Sequence, residues 1–193
     1  MKSYSTKPTT FFQLKGYPGL KNMAKYIAAY FPNNISNYAE PFAGLARTAE
    51  YVKCNTMYLN DLSQYSNEYC KTKFPNAVIS NMDFKDFMDQ FKERDDIFML
   101  IDPVWRKNIY KNNQLPACTC TPIEYYDTLL TMLDNVKYHW ILCVDKDEHE
   151  IGKRVSKSKY INLVLEHPTV KMFGKPTGVR LASNKEFIKN ESM

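Results

Sequence analysis

Residues 97–101, IFMLI, form an unbroken apolar run, and Asp102 and Pro103 follow it directly. A strand inside a parallel sheet is buried on both faces, so it reads as continuous hydrophobic sequence rather than as alternating apolar and polar residues. Residues 140–144, WILCV, form a second run of this kind and are followed by Asp145. Two buried strands that each end on an aspartate indicate an α/β protein built on a parallel sheet.

Short apolar runs and helical segments alternate through the rest of the chain. Strands are expected at 36–40, 57–61 and 77–83, and helices at 47–53, 64–73, 85–92 and 122–135. The last of these helices begins after Thr121, in a capping box with proline at the first helical position. Apolar residues at helical spacing between Leu20 and Phe31 indicate a further amphipathic helix. This alternation predicts a parallel sheet with right-handed crossovers.

The end of the chain has a different pattern. Residues 170–173, 179–182 and 186–188 favour short strands, and GKPTG (174–178) connects the first two. We therefore predict a three-layer α/β fold with a mixed seven-stranded sheet and an antiparallel edge hairpin. The sequence contains no repeat, low-complexity tract or linker, so residues 1–193 are expected to form a single domain.

Composition narrows the class of protein. The formal charge of +5 comes from 26 basic and 21 acidic residues, which is compatible with a nucleic-acid partner and does not require one. The five cysteines are scattered without a C-x-x-C pair, which is typical of reduced thiols rather than of a zinc site. No apolar run approaches the roughly 18 residues of a membrane span, and no signal-peptide pattern is present, so we expect a soluble cytoplasmic protein.

Acidic residues follow the predicted strands where ligands of open parallel sheets bind, at the carboxyl ends. The first expected strand ends on Glu40, the second on Asp61 and the third at Asp83, and Asp102 directly follows the fourth. Each has an ordinary explanation, since acids are common in the first turn of a helix and an Asp-Pro pair or a glycine often marks a turn. Their order and their spacing together favour a ligand site.

The order of these motifs resembles the Dam-like family of DNA adenine methyltransferases. EPFAG (40–44) is similar to the family's E-P-F-x-G, and DPVW (102–105) is similar to its D-P-P-Y. LKGYPGLK (14–21) resembles the family's glycine-lysine motif, and the likeness extends to residues 183–190. The resemblance implies a Rossmann-like methyltransferase fold, S-adenosylmethionine as the cofactor, and the exocyclic amine of adenine in DNA as the methyl acceptor.

The expected cofactor contacts follow from the shape of S-adenosylmethionine and from the resemblance. The candidate residues are Tyr17, Lys21, Glu40, Phe42, Gly44, Asp61, Asp83 and Phe84. Asp61 would accept both ribose hydroxyls, and Glu40 would meet the cationic methionine part. Asp83 would accept from the adenine amine while the Phe84 amide donates to the ring. By resemblance, Tyr17 and Lys21 would cover the cofactor, and Gly44 would let the backbone approach closely.

The target site is expected at Asp102, Pro103 and Trp105. An aromatic amine is a poor nucleophile because its lone pair is delocalised into the ring. If the Asp102 carboxylate and the Pro103 carbonyl each accept one N–H, the nitrogen becomes more tetrahedral, and the positive charge that develops on it is stabilised. The base would be flipped out of the duplex and stack on Trp105. This chemistry requires neither a metal nor a general base.

Two departures from the family pattern matter. Val104 replaces the second proline and removes a rigid restraint. Asp83 and Asp102 are too close in sequence to enclose the target-recognition domain that family members carry between strands three and four. Two basic segments are the candidates to bind nucleic acid in its place, although a solvated loop is the alternative. Their residues are Arg106, Lys107, Tyr110 and Lys111 in the first segment, and Lys153, Arg154 and Lys157 in the second.

Other functions stay open at this stage. Val104 and the missing recognition domain favour a catalytically inactive binding or accessory protein that keeps the fold. A methyltransferase acting on RNA or on a protein amide is a further alternative, because a planar amine fits the same pair of acceptors. In each of these cases, a separate partner is the candidate source of sequence specificity.

Overall fold

The computed structural model describes residues 23–103, 123–145, 151–172 and 175–190. Helices and strands follow one another in the order α1 (Ala24–Ala28), β1 (Asn37–Glu40), β2 (Thr56–Asn60), α2 (Gln64–Lys73), β3 (Val78–Ser80), α3 (Phe84–Asp89), β4 (Ile97–Ile101), α4 (Ile123–Leu133), β5 (His139–Asp145), α5 (Ile151–Ser156), β6 (Ile161–Met172) and β7 (Lys175–Ser183). A short 3-10 helix, Ala49–Tyr51, lies between β1 and β2. No helix in these ranges is long and apolar enough to cross a membrane.

The seven strands form one sheet in the order β3-β2-β1-β4-β5-β7-β6. The pairs from β3 to β5 are parallel, whereas β7 is antiparallel to both β5 and β6. The predicted α/β fold with a mixed seven-stranded sheet and an antiparallel edge hairpin is confirmed. Because β1 pairs with β2 on one side and with β4 on the other, the strand order reverses beside β1, and this is where ligands bind in open α/β sheets.

The central strands are buried because both faces of the sheet are covered. All five residues of β4 are buried, as the apolar run predicts. Alternate side chains of a strand point to opposite faces. Phe98 and Leu100 therefore belong to one hydrophobic cluster together with α1 and Tyr38, whereas Met99 belongs to a second cluster with Trp140.

Three local predictions differ from the structure. The expected helix at 47–53 is only the 3-10 turn Ala49–Tyr51, because Val52 returns to an extended conformation. The expected strand at 186–188 is absent from the sheet, since Asn190 donates from its backbone to Ala29 and from its side chain to Phe31, which holds this segment against the end of α1. The helix α5 was not predicted, the strand expected at 170–173 is the end of the longer strand β6, and residues 175–178 of the expected connection belong to β7.

Candidate functional site

The carboxyl ends of three adjacent strands bring three acids together. Glu40 is the last residue of β1, and Asp61 and Asp102 follow β2 and β4, the two neighbours of β1. Neighbouring strands lie about 4.8 Å apart. The charges of Asp102 and Asp61 both raise the pKa of Glu40, so the three carboxyl groups act on one another through space.

Glu40 is the most buried of the acids, with 4% of its surface exposed. The Tyr38 hydroxyl donates to Glu40 Oε1 at 2.6 Å. Burial raises the pKa of Glu40 to about 8, the Tyr38 hydrogen bond opposes the rise, and Asp102 and Asp61 add to it. At neutral pH the carboxyl group is therefore mostly protonated, and an approaching cation favours its ionised form.

Asp61 holds the loop that follows β1. Its Oδ2 accepts from the Gly44 amide at 2.8 Å, and its Oδ1 accepts from the Ser63 amide at 2.8 Å. Gly44 has φ of 52°, and Ala46 has φ of 44°, which for a residue with a Cβ costs on the order of 1–3 kcal/mol. Asp61 therefore holds the turn at Gly44, and the strained residue lies two positions further along the same loop; such strain is common in ligand loops. Each carboxylate oxygen keeps a second lone pair with which it can accept a ribose hydroxyl.

Asn60 is a site residue that the sequence analysis missed. It is fully buried, and its side-chain nitrogen donates to the carbonyls of Pro41 at 3.1 Å and Met82 at 2.9 Å. Its oxygen accepts from the Ser80 hydroxyl at 2.9 Å and from the Met82 amide at 3.0 Å. One side chain thus joins the segments that follow β1 and β3. The available signal was an amide next to the buried Leu59, because a buried amide must be hydrogen-bonded.

Asp83 and Phe84 lie at the start of α3. The Asp83 side chain accepts from the Lys85 amide at 2.9 Å, so Asp83 is the N-cap of this helix, as the ordinary explanation predicts. The Phe84 amide occupies the first helical position, where a backbone N–H has no acceptor within the helix. The Phe84 ring packs against Phe42 at 5.0 Å and against Tyr125 at 6.0 Å between ring centroids. An aromatic wall therefore connects the loop after β1 with α3.

Asp102 and Pro103 are the last described residues after β4. Asp102 is partly exposed, and Pro103 is buried. The charge of Asp102 raises the pKa values of Glu40 and of the buried Cys143 thiol, which places its carboxylate beside the end of β5 as well as that of β1. The predicted target residues thus lie next to the predicted cofactor residues. Val104 and Trp105 lie outside the described residues.

The other predicted contacts divide into two groups. Tyr17, Lys21, Arg106, Lys107, Tyr110 and Lys111 lie outside the described residues. In the second basic segment, Lys153 belongs to α5, Arg154 forms an ion pair with Asp127 of α4, and Lys157 is exposed. The charge of Arg154 is therefore partly compensated within the chain, whereas that of Lys157 faces solvent.

Comparison with known sequences identifies one family. A sequence model of the family described as D12 class N6 adenine-specific DNA methyltransferase matches residues 17–138. This range contains the loop 40–44 together with Asp61, Asp83 and Asp102. No curated protein sequence matches the chain.

Solved structures with low sequence identity share the fold. SMU.1697c of Streptococcus mutans, crystallised in complex with SAH, has a TM-score of 0.56 at 10% identity over 83% of this chain and 94% of that chain. An rRNA methylase of Streptococcus thermophilus has a TM-score of 0.53 at 10% identity, with 82% and 92% covered. Precorrin 8w decarboxylase of Methanobacterium thermoautotrophicum has a TM-score of 0.56 at 10% identity, with 88% and 94% covered. The shared architecture is the Rossmann-like fold of methyltransferases.

Proposed function

Because the chain belongs to the family of D12 class N6 adenine-specific DNA methyltransferases, we propose that it methylates the exocyclic amine of adenine in DNA. Membership of this family implies that the chain is a methyltransferase and that its cofactor is S-adenosylmethionine. The acceptor is the proposed part. The observation that carries it is the convergence of Glu40, Asp61 and Asp102 at the point where the strand order reverses.

The residues around this point fit the cofactor. When bound, S-adenosylmethionine supplies an electrophilic methyl group on a positively charged sulfur. Glu40 is a buried acid whose ionised form is disfavoured until a cation arrives, and the methionine part of the cofactor is cationic. Gly44 has no Cβ to obstruct a ligand at its positive φ. Asp61, which is already oriented by two amides, would accept the ribose hydroxyls.

The adenine ring of the cofactor would lie against the segment that begins α3. Asp83 would accept from its amine, and the Phe84 amide would donate to a ring nitrogen. The rings of Phe42 and Phe84, 5.0 Å apart, provide an apolar surface for a planar group. By family resemblance, Tyr17 and Lys21 would close the site from the N-terminal side.

The methyl acceptor would be held by Asp102 and Pro103, with Trp105 as the stacking surface. A carboxylate and a carbonyl that each accept one N–H orient the amine and stabilise the positive charge that develops on it, an effect typically worth about 10²–10³-fold in rate. Asp102 lies close enough to Glu40 to act on its pKa, so the acceptor would stand beside the methionine part of the cofactor.

The test is transfer of labelled methyl groups from S-adenosylmethionine to duplex DNA, single-stranded DNA and RNA in parallel. We expect labelled N6-methyladenine in a DNA substrate. Asp102→Ala should reduce turnover at least about 10²-fold while calorimetry shows S-adenosylhomocysteine binding within a few-fold of the unchanged protein. Asp86→Ala is the matched control, because Asp86 is an exposed acid on α3. Cofactor binding without methylation of any pool would contradict the proposal and support the accessory protein.

A second candidate, methylation of an amine in RNA, has one structural observation in its favour. The connection between β3 and β4 holds only α3 and a turn, so no recognition domain is inserted there, and this connection is wholly described. A protein without a module that reads the DNA duplex would suit exposed bases of a single strand or loop. Label in the RNA pool alone would establish this alternative.

A further inference from the structure

Tyr38 and Glu40 form a buried pair beneath the proposed methionine site. They are two residues apart on β1 and therefore face the same side of the sheet. Tyr38 is completely buried, and its hydroxyl donates to Glu40 Oε1 at 2.6 Å. The Tyr38 ring packs against Phe31 and Phe98, with both centroids 6.0 Å away. Contacts with these two rings restrict the tyrosine, so the direction of its hydroxyl is set by the core.

The surroundings of this pair are acidic. The titratable groups that act on one or both members are Asp61 after β2, Asp102 after β4, and the thiols Cys54, Cys70 of α2 and Cys143 of β5. Among the described residues, the charges that shift Glu40 are those of the two aspartates. The Tyr38 hydroxyl has the opposite effect, because it donates a hydrogen bond that stabilises the ionised form of Glu40. A buried carboxyl group with so few groups that stabilise its negative charge stays protonated until a cation binds beside it.

We propose that Tyr38 is a positioning residue for the cofactor: it holds one oxygen of Glu40, leaves the other for the cationic methionine part, and keeps Glu40 able to lose its proton. This inference rests on the proposed function, because it takes S-adenosylmethionine as the ligand. On binding, the protonated carboxyl group becomes a carboxylate paired with the cofactor cation, and the proton passes to the buffer. No bond to carbon forms or breaks.

Proton release makes the affinity depend on pH in a defined way. The pKa of Glu40 is about 8 without ligand, so the dissociation constant should fall roughly tenfold per pH unit between pH 6 and pH 7.5. The α-ammonium group of free S-adenosylmethionine has an ordinary pKa of about 7.7–8.0, so above pH 8 the ligand loses its own proton and the affinity should decline again. A hydrogen bond to a charged group contributes about 1.5–3 kcal/mol, or roughly 10–100-fold in affinity. Loss of the Tyr38 hydroxyl should therefore weaken binding at neutral pH and move the pH of tightest binding upward.

The experiment is calorimetric titration of the full chain with S-adenosylmethionine and, separately, with adenosine, from pH 6 to pH 9.5 in buffers of different ionisation enthalpy. The unchanged protein should release close to one proton per S-adenosylmethionine at pH 7. Tyr38→Phe should bind S-adenosylmethionine roughly 10–100-fold more weakly at pH 7, and its pH of tightest binding should be higher. Adenosine lacks the methionine part, so it should bind both proteins equally and without proton release.

Tyr138→Phe is the matched control. Tyr138 is also completely buried, but its hydroxyl has no hydrogen-bond partner among the residues that the structure describes. Loss of this hydroxyl should leave the pH profile and the proton release unchanged. Glu40→Gln serves as a second variant, since glutamine can still accept from Tyr38 but cannot ionise. Its affinity should not change between pH 6 and pH 7, and it should release no proton at pH 7.

Several results would overturn the inference. These are an unchanged pH profile in Tyr38→Phe, an equal loss of adenosine affinity in that variant, or proton release by Glu40→Gln. If the unchanged protein methylates a substrate without releasing a proton on cofactor binding, this inference fails and the proposed function stands. If the unchanged protein binds no cofactor at any pH, both fail.

Discussion

Acidic residues at the two ends of the parallel sheet have pKa values that are shifted in opposite directions. At the amino ends of β1 and β4, Asp96 accepts two hydrogen bonds from Arg94, at 2.8 and 2.7 Å, and one from Asn37 at 2.7 Å. These partners hold the pKa of Asp96 below its usual range, with the Arg94 hydrogen bonds first among the causes. At the carboxyl end, Glu40 accepts one hydrogen bond from the Tyr38 hydroxyl and has two aspartates nearby. Burial, and then the charges of these aspartates, raise its pKa to about 8.

This contrast separates structural acids from binding acids. Asp96 is compensated within the chain, so it needs no ligand. Glu40 is buried among other acids, an arrangement that lowers the stability of the unliganded protein and is relieved by a bound cation. His139, also at the amino end, is simply kept neutral: burial, and then the charge of Lys185, lower its pKa to about 4. The difference points to the carboxyl end as the functional one.

Glu40→Gln should produce the largest change, an increase in the stability of the unliganded protein at high pH. The folded pKa of Glu40 lies above its usual value, so its contribution to stability is complete below pH 4.5 and is lost as the pH rises through 8. A rise from 4.5 to about 8 corresponds to at most about 5 kcal/mol. In urea unfolding without cofactor, the free energy of unfolding of the variant should increase relative to that of the unchanged protein from pH 5 to pH 9. Equal stabilities of the variant and the unchanged protein at pH 9 would contradict the distinction between the two ends of the sheet.

Asp61→Asn should have an intermediate effect of the opposite sign. One oxygen becomes an NH₂ group that faces an amide donor, either of Gly44 or of Ser63, so one charge-assisted hydrogen bond of about 1.5–3 kcal/mol is lost. We expect weaker binding of S-adenosylhomocysteine by roughly 100-fold and a lower unfolding midpoint, measured by calorimetry and by thermal melting. Affinity that survives the change would remove Asp61 from the site.

Asp96→Asn should have the smallest effect. It is the same aspartate-to-asparagine change as Asp61→Asn, made at the opposite end of the sheet. Asp96 and Arg94 are exposed, and exposed ion pairs contribute little to stability. The melting temperature should fall by about 2 °C or less, with cofactor affinity unchanged. Because the pKa of Asp96 is lowered, this small contribution is present above pH 4 and is lost in acid. A clear loss of cofactor binding in this variant would argue against an end-specific function.

Part of the site was predictable because it lies in short contiguous motifs. The loop 40–44, the acid after β2 and the Asp-Pro pair after β4 all lie where the sequence predicted, at strand ends. Asn60 was not predicted, because its four hydrogen bonds join it to three residues that lie 19 to 22 positions away, and only the folded chain brings them together. The raised pKa of Glu40 results first from burial, which no motif encodes.

The sequence by itself determined which segments form the parallel strands and which acids end them. The apolar runs predicted β4 and β5, which are buried on both faces of the sheet, and the acids stand directly at the ends of the strands in the chain. Only the tertiary structure decided that Glu40 lies between Asp61 and Asp102. That arrangement arises because β1 pairs with β4 rather than with β3, a crossover selected by burying both faces of the sheet rather than by any local pattern.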